Sequence, residues 1–396
     1  MSNNKILIFY VTILEFIKKF SHEIYVIALP SMALTFQASR SEISNLSSYF
    51  LIGVFIVQFL IPILNSLLYY KQMLIIFSII YFIGSVLVII SSSVALLKFG
   101  IFFIGIGIGH ASVLSKLLVY TDNQNDESKA IVGFALIAFF STWAPACAIY
   151  IGGYIDHLLS WRYIFVGLSI IGVFLLFMTI RINNIPQNKN KLPLYKLLNG
   201  YLYLLKNKQL IIFLSGLSVL TSGPIIFYIN GIYLFKEDFK LPLFYFGHVL
   251  FILVAFNLTG KLISAKVINY ITDTKLLAIY SILLFIIGIT GSYFATIHYN
   301  HTMLLVMVSL YMMVLGGVIS ISRIFLFKQS NDYTSYMSSL ISFSFSLITA
   351  LATHLNAKLK LVGAISVSLP FLIISIIFLI CTYIGIYHHR HIPTYN

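Results

Sequence analysis

The chain has 396 residues, of which 60% are hydrophobic and only 9% charged, and its mean hydropathy is +0.98. A single water-soluble core of this length cannot hide that much apolar surface, so lipid must solvate most of the chain. The formal net charge of +14 falls in short segments between long apolar runs and forms no extended basic surface, which excludes nucleic acid as a partner.

A hydrocarbon layer of about 30 Å takes about 20 helical residues to cross. Twelve runs reach or approach that length: 6–33, 46–69, 73–94, 97–120, 131–154 and 163–180, then 210–235, 243–268, 276–297, 303–327, 335–357 and 362–387. They are continuously apolar and do not alternate as barrel strands do, so the sequence predicts an all-α membrane protein of twelve transmembrane helices in two six-helix bundles. The first run is too long for the apolar part of a signal peptide and has no small-residue cleavage site, so it is expected to persist as a helix. Cys147 and Cys381 both lie in apolar runs, where neither a disulfide framework nor a metal site is suggested.

Loop charge sets the orientation. With the N-terminus in the cytoplasm, that side holds Lys5, Lys71, Lys129, Arg181, Lys189, Lys191, Lys196, Lys206, Lys208, Lys266, Lys275, Lys328 and Arg390. The far side holds only Arg40, Lys98, Arg162, Lys236, Lys240, Lys358 and Lys360. The positive-inside rule therefore places both termini in the cytoplasm of a protein in the cell inner (plasma) membrane. The acid-free stretch 181–209, with Pro186 and Pro193, reads as a cytoplasmic linker between an N-terminal bundle (1–180) and a C-terminal bundle (210–396).

Of the 11 acids, only Glu15 and Glu23 lie inside an apolar run, together with Lys18, Lys19 and His22. At about 100° per residue from Glu15, Lys18 falls near −60°, Lys19 near +40°, His22 near −20° and Glu23 near +80°, so all five share one face. Phe16, Ile17 and Phe20 fall on the other. Each central charge costs about 2.5–3.5 kcal/mol to insert, on the order of 10 kcal/mol for four, so this face must meet water or partners. A hydrated passage between the two bundles would supply both. Glu15 with Lys19, and Lys19 with Glu23, are spaced for an i,i+4 ladder that could simply neutralise itself. In the functional reading, Glu15 and Glu23 exchange protons, while Lys18, Lys19 and His22 tune their proton affinity or contact substrate.

The stretch His22-Glu23-Ile24-Tyr25-Val26-Ile27-Ala28-Leu29-Pro30 resembles the first-helix signature D-x-Y-L-P-A-L-P of Bcr/CflA-type drug:proton antiporters of the major facilitator superfamily, with Glu23 in the acid's place. Ala144-Pro145 and Gly152-Gly153-Tyr154 are similar to that family's fifth-helix antiporter motif, and Trp161-Arg162-Tyr163-Ile164-Phe165 to its W-R-x-I-F. Gly53, Gln58 and Pro62 on the second helix also match. The resemblance implies the major facilitator fold and proton-coupled export, with Tyr25 and Gln58 near the substrate. Pro145 would bend its helix, and Gly152 and Gly153 would allow close helix contact. Two family motifs are eroded: Asn65–Lys71 keeps none of the usual second-to-third-helix charges, and Ile101 stands where the fourth helix usually carries Arg. His110 and Lys116 are polar additions on that fourth helix.

Weaker signals read more plainly. Gly105, Gly107 and Gly109 lie within a membrane run with no preceding strand and read as helix-packing positions. Asn230, Asn257 and His248 could line a cavity or bond between helices, Lys261, Lys266 and Arg323 are placed to snorkel, and His388-His389-Arg390-His391 reads as a solvated tail. No catalytic motif, cofactor or metal site is expected. The expected function is proton-coupled export of a small amphipathic or carboxylated molecule by a monomer. The alternatives are proton-coupled import of an anionic metabolite or metal chelate, and a non-transporting membrane sensor.

Overall fold

The computed structural model describes residues 3–122, 127–182, 185, 201–297, 301–328, 334–359 and 361–387. Among them every regular element is helical: α1 (Asn3–Glu23), α2 (Leu29–Phe36), α3 (Arg40–Ser44), α4 (Leu46–Leu67), α5 (Tyr70–Ile89), α6 (Val94–Gly109), α7 (Ala111–Asp122), α8 (Glu127–Leu158) and α9 (Trp161–Arg181) in the first half, and a short helix at 201–206 that opens the second. The second half holds α10 (Lys208–Tyr233), α11 (Leu243–Val267), α12 (Asp273–Ile297), α13 (His301–Lys328), α14 (Thr334–Leu359) and α15 (Ile365–Tyr387). The chain divides into two compact units, Met1–Leu198 and Asn199–Asn396. Most of the segment expected as a linker, 183–184 and 186–200, lies outside the described residues, as does the histidine-rich tail.

Eleven described helices are long and apolar enough to cross a membrane, with α6 and α7 forming one span through His110. The first helix is not among them. At 21 residues α1 has the length, but Glu15, Lys18, Lys19 and Glu23 interrupt its composition. Packing compensates. Leu7, Tyr10, Val11, Leu14 and Ser21 are buried at helical spacing, and α1 lies against α7 and α8 with further contacts to α6 and α9. Ile17 and Phe20, on the face opposite the charges, are also buried.

The run expected to be one helix over 6–33 is broken. After Glu23 the chain makes a 3-10 turn at Val26–Ala28 and restarts as α2, with Pro30 in its first turn. Pro30 has no N–H for the Val26 carbonyl, and its ring would clash with that carbonyl in a continuous helix. Val26 O instead accepts from the Leu29 amide. α8, by contrast, runs unbroken through Pro145.

The two units share most of their helix pairings, although α10 also lies along α15 whereas α1 only touches α9. In unit 1, α6 packs between α4 and α5, α5 also meets α9, and α1 meets α8; in unit 2, α13 packs between α11 and α12, α12 also meets α15, and α10 meets α14. The same glycine device sets the closest approach in each. A Cβ on Gly53 would strike Phe102 O while one on Gly105 would strike Phe50 O, and in unit 2 Gly260 stands against Met313 O while Gly316 stands against Asn257 O. Every pair has the same three-residue offset. Apolar helices gain little from each other by hydrophobicity in lipid, so such close backbone approach is what binds them. The halves are thus structural repeats.

Replacing Gly105 by Leu is expected to destabilise unit 1 by about 1–3 kcal/mol or more, because backbone at Phe50 cannot yield as a side chain would. Gly167→Ala, where nothing lies within 4 Å of the added methyl, is the control. Thermal unfolding in detergent should separate the two.

Candidate functional site

The ionisable face of α1 is buried inside unit 1. Glu15 is 9% exposed, His22 4% and Glu23 4%, while Lys18 and Lys19 are half-buried. The two lysines diverge as their helical angles require. Lys18 donates to the Ser112 hydroxyl on α7, and Lys19 donates to Ser141 Oγ on α8 at 3.4 Å. Ser112 in turn donates to Glu15 Oε1 at 3.2 Å. Glu15 and Lys18 are therefore joined through a hydroxyl of another helix, a relation the expected i,i+4 ladder does not contain.

Glu23 pairs with its neighbour, His22 Nδ1 lying 2.8 Å from Glu23 Oε1. His22 rests on Phe50 of α4 at 4.8 Å between ring centroids, and Tyr25 stacks on Phe165 of α9 at 5.9 Å. Glu15 Oε2, Glu23 Oε2 and His22 Nε2 are buried with no hydrogen-bond partner among the described residues. Buried polar atoms are normally paired, so these three along α1 mark it as chemically unusual. His110 stacks on Phe77 of α5 at 4.9 Å and 9° and lies within electrostatic range of Lys18.

Of the other expected site residues, Gln58 is fully buried on α4. Gly152 of α8 abuts the Ile24 carbonyl, where α1 breaks, so closely that a Cβ would collide with it. Gly153 is buried beside it. The W-R-x-I-F stretch acts as a fastening: Trp161 Nε1 donates to Thr35 Oγ1 at 3.0 Å, and Arg162 stacks on Trp161 and donates to Ser91 O at 3.2 Å. The one cation left at the start of the third span, Lys71, donates to the carbonyls of Ile180 and Ile182, each at 3.0 Å, and so holds the end of α9.

In unit 2 the repeat counterpart of α1 is α10, whose sole charged residue is Lys208 at its start. Its buried polar groups include Asn230, which exchanges hydrogen bonds with Asn356 of α14 at 3.2 Å each way and donates to Ser366 O at 2.6 Å. Asn257 donates to Met312 O at 3.0 Å. Both are bonds between helices. His248 is exposed. Ser112, Ser141 and Asn356 were not expected from sequence, since a lone hydroxyl or amide in an apolar run carries no signal until its partner is known.

Two bundles of membrane-length helices, with ionisable groups buried on the opening helix of the first, define a multi-pass membrane protein. Residues 11–353 match the Major Facilitator Superfamily, and the chain belongs to that superfamily of transporters. An uncharacterized transporter of Rickettsia bellii (strain RML369-C) is 24% identical over 265 residues, covering 64% of this chain and 63% of that protein, so the chain matches less than two thirds of its relative's length. Among solved structures, the nucleoside transporter NupG superposes with a TM-score of 0.74 at 16% identity over 99% of this chain and 100% of its own. A D-xylose-proton symporter gives 0.72 at 13% identity over 97% of each chain. A bacterial homolog of the human lysosomal transporter Spinster gives 0.72 at 12% over 98% of each. At these identities the likeness is one of fold.

The Glu15–Ser112–Lys18 contact makes a measurable energetic prediction. Glu15→Leu and Lys18→Met should each lower the unfolding temperature in detergent, and the double substitution should recover much of the loss, with a coupling of about 1–3 kcal/mol. Additive losses in that double-mutant cycle would show that the two side chains do not sense each other.

Proposed function

We propose that this protein is a proton-coupled secondary transporter that moves a small amphipathic or carboxylated molecule by alternating access, with Glu15 and Glu23 as its proton sites. The observation that carries this reading is the burial of two acids on α1, each with one carboxylate oxygen bonded and the other without a partner. Ionisable groups inside a membrane are functional by default, and a change in their partners on alternating access would couple them to transport. Lys18, Lys19 and His22 supply the charge that such a change must offset. The resemblance of the first and fifth helices to Bcr/CflA-type antiporters supports export in exchange for protons, as a drug or siderophore-like cargo would require. On this reading the protein works as a monomer in the inner membrane with both termini cytoplasmic.

A second reading, proton-coupled uptake of an anionic metabolite or metal chelate, is favoured by Lys18. Its ammonium is joined through Ser112 to Glu15, a natural seat for a carboxylate once the acid is neutralised.

The test is flux. In proteoliposomes with an imposed pH gradient, substrate added to one side should drive proton movement that Glu23→Gln abolishes and Glu15→Gln reduces at least tenfold, as expected when a required proton site is lost. Exchange moves proton and substrate in opposite directions and uptake moves them together. Flux that ignores both substitutions would end the proton-site assignment.

A further inference from the structure

We propose that the groove between α5 and α9 seats one acyl chain of an anionic glycerophospholipid, whose headgroup phosphate is held by Arg181 and Lys71. The proposal goes beyond the transport reading and stands apart from the proton sites, needing only that both helices cross a bilayer.

The groove has a volume of about 450 Å³, within the range of roughly 300–1,000 Å³ found for ligand clefts. Phe82 of α5 lines one side, and Ser169, Ile170, Val173, Phe174 and Phe177 of α9 line the other. The five apolar side chains are all exposed on the outside of the bundle. Ser169 spends its hydroxyl proton on the Val166 carbonyl at 2.7 Å, so it has none to offer a polar ligand. Such a lining suits a hydrocarbon chain.

Its length fits a lipid. Arg181 closes the span that begins at Trp161, and from there back to Ser169 α9 rises about 18 Å. Half of the hydrocarbon layer is about 15 Å. A phosphate at Arg181 therefore leaves its acyl chain lying along the groove as far as the bilayer midplane.

The open end is positively charged. The Arg181 guanidinium is exposed and sits over the Phe177 ring, 5.0 Å from its centroid, which holds the cation at the groove. Among the described residues that ring is the guanidinium's only partner. Lys71 of α5 donates to the carbonyls of Ile180 and Ile182, which flank Arg181 in the chain. An ammonium has three protons, so one remains. α5 and α9 contain no acid, and neither does the stretch 181–209. A phosphodiester can take two hydrogen bonds from the guanidinium fork and a third from Lys71. A headgroup with net negative charge is preferred, because a zwitterionic one brings its own ammonium toward two cations. On the orientation read from loop charge this end meets the cytoplasmic leaflet, where basic sites attract anionic lipid. The bound phosphate would tie α9 to α5 beside the Lys71 fastening.

The probe is phosphatidylglycerol in competition with phosphatidylcholine of the same chains. Full-length protein released from nanodiscs of the two lipids in equal amounts, and weighed intact, should keep phosphatidylglycerol about tenfold over phosphatidylcholine. Arg181→Gln should remove about tenfold of that preference, the usual effect of losing a hydrogen bond between charged groups, and Arg181→Lys should keep most of it. Lys275→Gln, the same charge loss at the start of α12, should leave it unchanged. Ile170→Trp with Val173→Trp, which fills the groove from its exposed side, should abolish retention. Phosphatidylglycerol added in detergent should raise the unfolding temperature of the unmodified protein, as a ligand of the folded state does, and should not raise that of the double-tryptophan variant. No preference in the unmodified protein, equal loss in Lys275→Gln, or retention that survives the two tryptophans would each overturn the lipid seat. Displacement of the lipid by free glycerol phosphate would show a headgroup site without a chain and overturn it too. A dimer that forms as phosphatidylglycerol is lost would assign the groove to a second copy of the chain instead.

Discussion

Charged side chains on a membrane helix must be met by other polar groups or by water, because hydrocarbon offers them nothing. In this protein four charged residues and a histidine crowd into nine positions of α1, and unit 1 answers them locally. Ser112 joins Glu15 to Lys18, Ser141 receives Lys19, and His22 takes Glu23. None of these contacts would hold α1 in a bilayer if it stood alone. The helix can lie in the membrane because α7 and α8 cover it, so the packing of the bundle and the tolerance of the charges are a single arrangement.

That arrangement falls on one side of an internal repeat. The two units share helix pairings and matched glycine contacts, Gly53 and Gly105 in one and Gly260 and Gly316 in the other. Yet α10, the counterpart of α1, carries amides and hydroxyls where α1 carries charge. Buried amides bonded to each other, as Asn230 and Asn356 are, hold helices in register and do not change charge with pH. The two units thus supply similar frames, and of their opening helices only α1 carries acids.

The eroded motifs have local substitutes. The usual charges between the second and third spans are missing, but Lys71 ties the start of α5 to the last carbonyls of α9. Trp161 and Arg162 fasten α9 to Thr35 of α2 and to the end of α5. Pro30 forces the break after Glu23, and Gly152 lets α8 close on the carbonyl left there. These contacts set where the Glu23–His22 pair sits, although none of their side chains takes part in it.

Span number, all-helical character and the unusual first helix were legible in the sequence because each follows from composition and from a fixed angular period, both local properties of the chain. The ends of eleven spans could be read to within a few residues for the same reason. The break in α1 was legible only in part: Pro30 was visible, but a proline can bend a helix, as expected of Pro145, or interrupt it, and the surrounding packing decides which. The partners of the five ionisable groups were not legible, because Ser112 and Ser141 are about a hundred residues from the lysines they meet and look like many other serines. The internal repeat escaped as well, since four glycines facing four carbonyls leave no common pattern in the side chains around them. Sequence by itself determined that this chain lives in lipid and that its opening helix carries charge there. Only the tertiary structure decided which groups meet that charge, because a hydrogen bond between helices depends on their approach and rotation, which no single helix encodes.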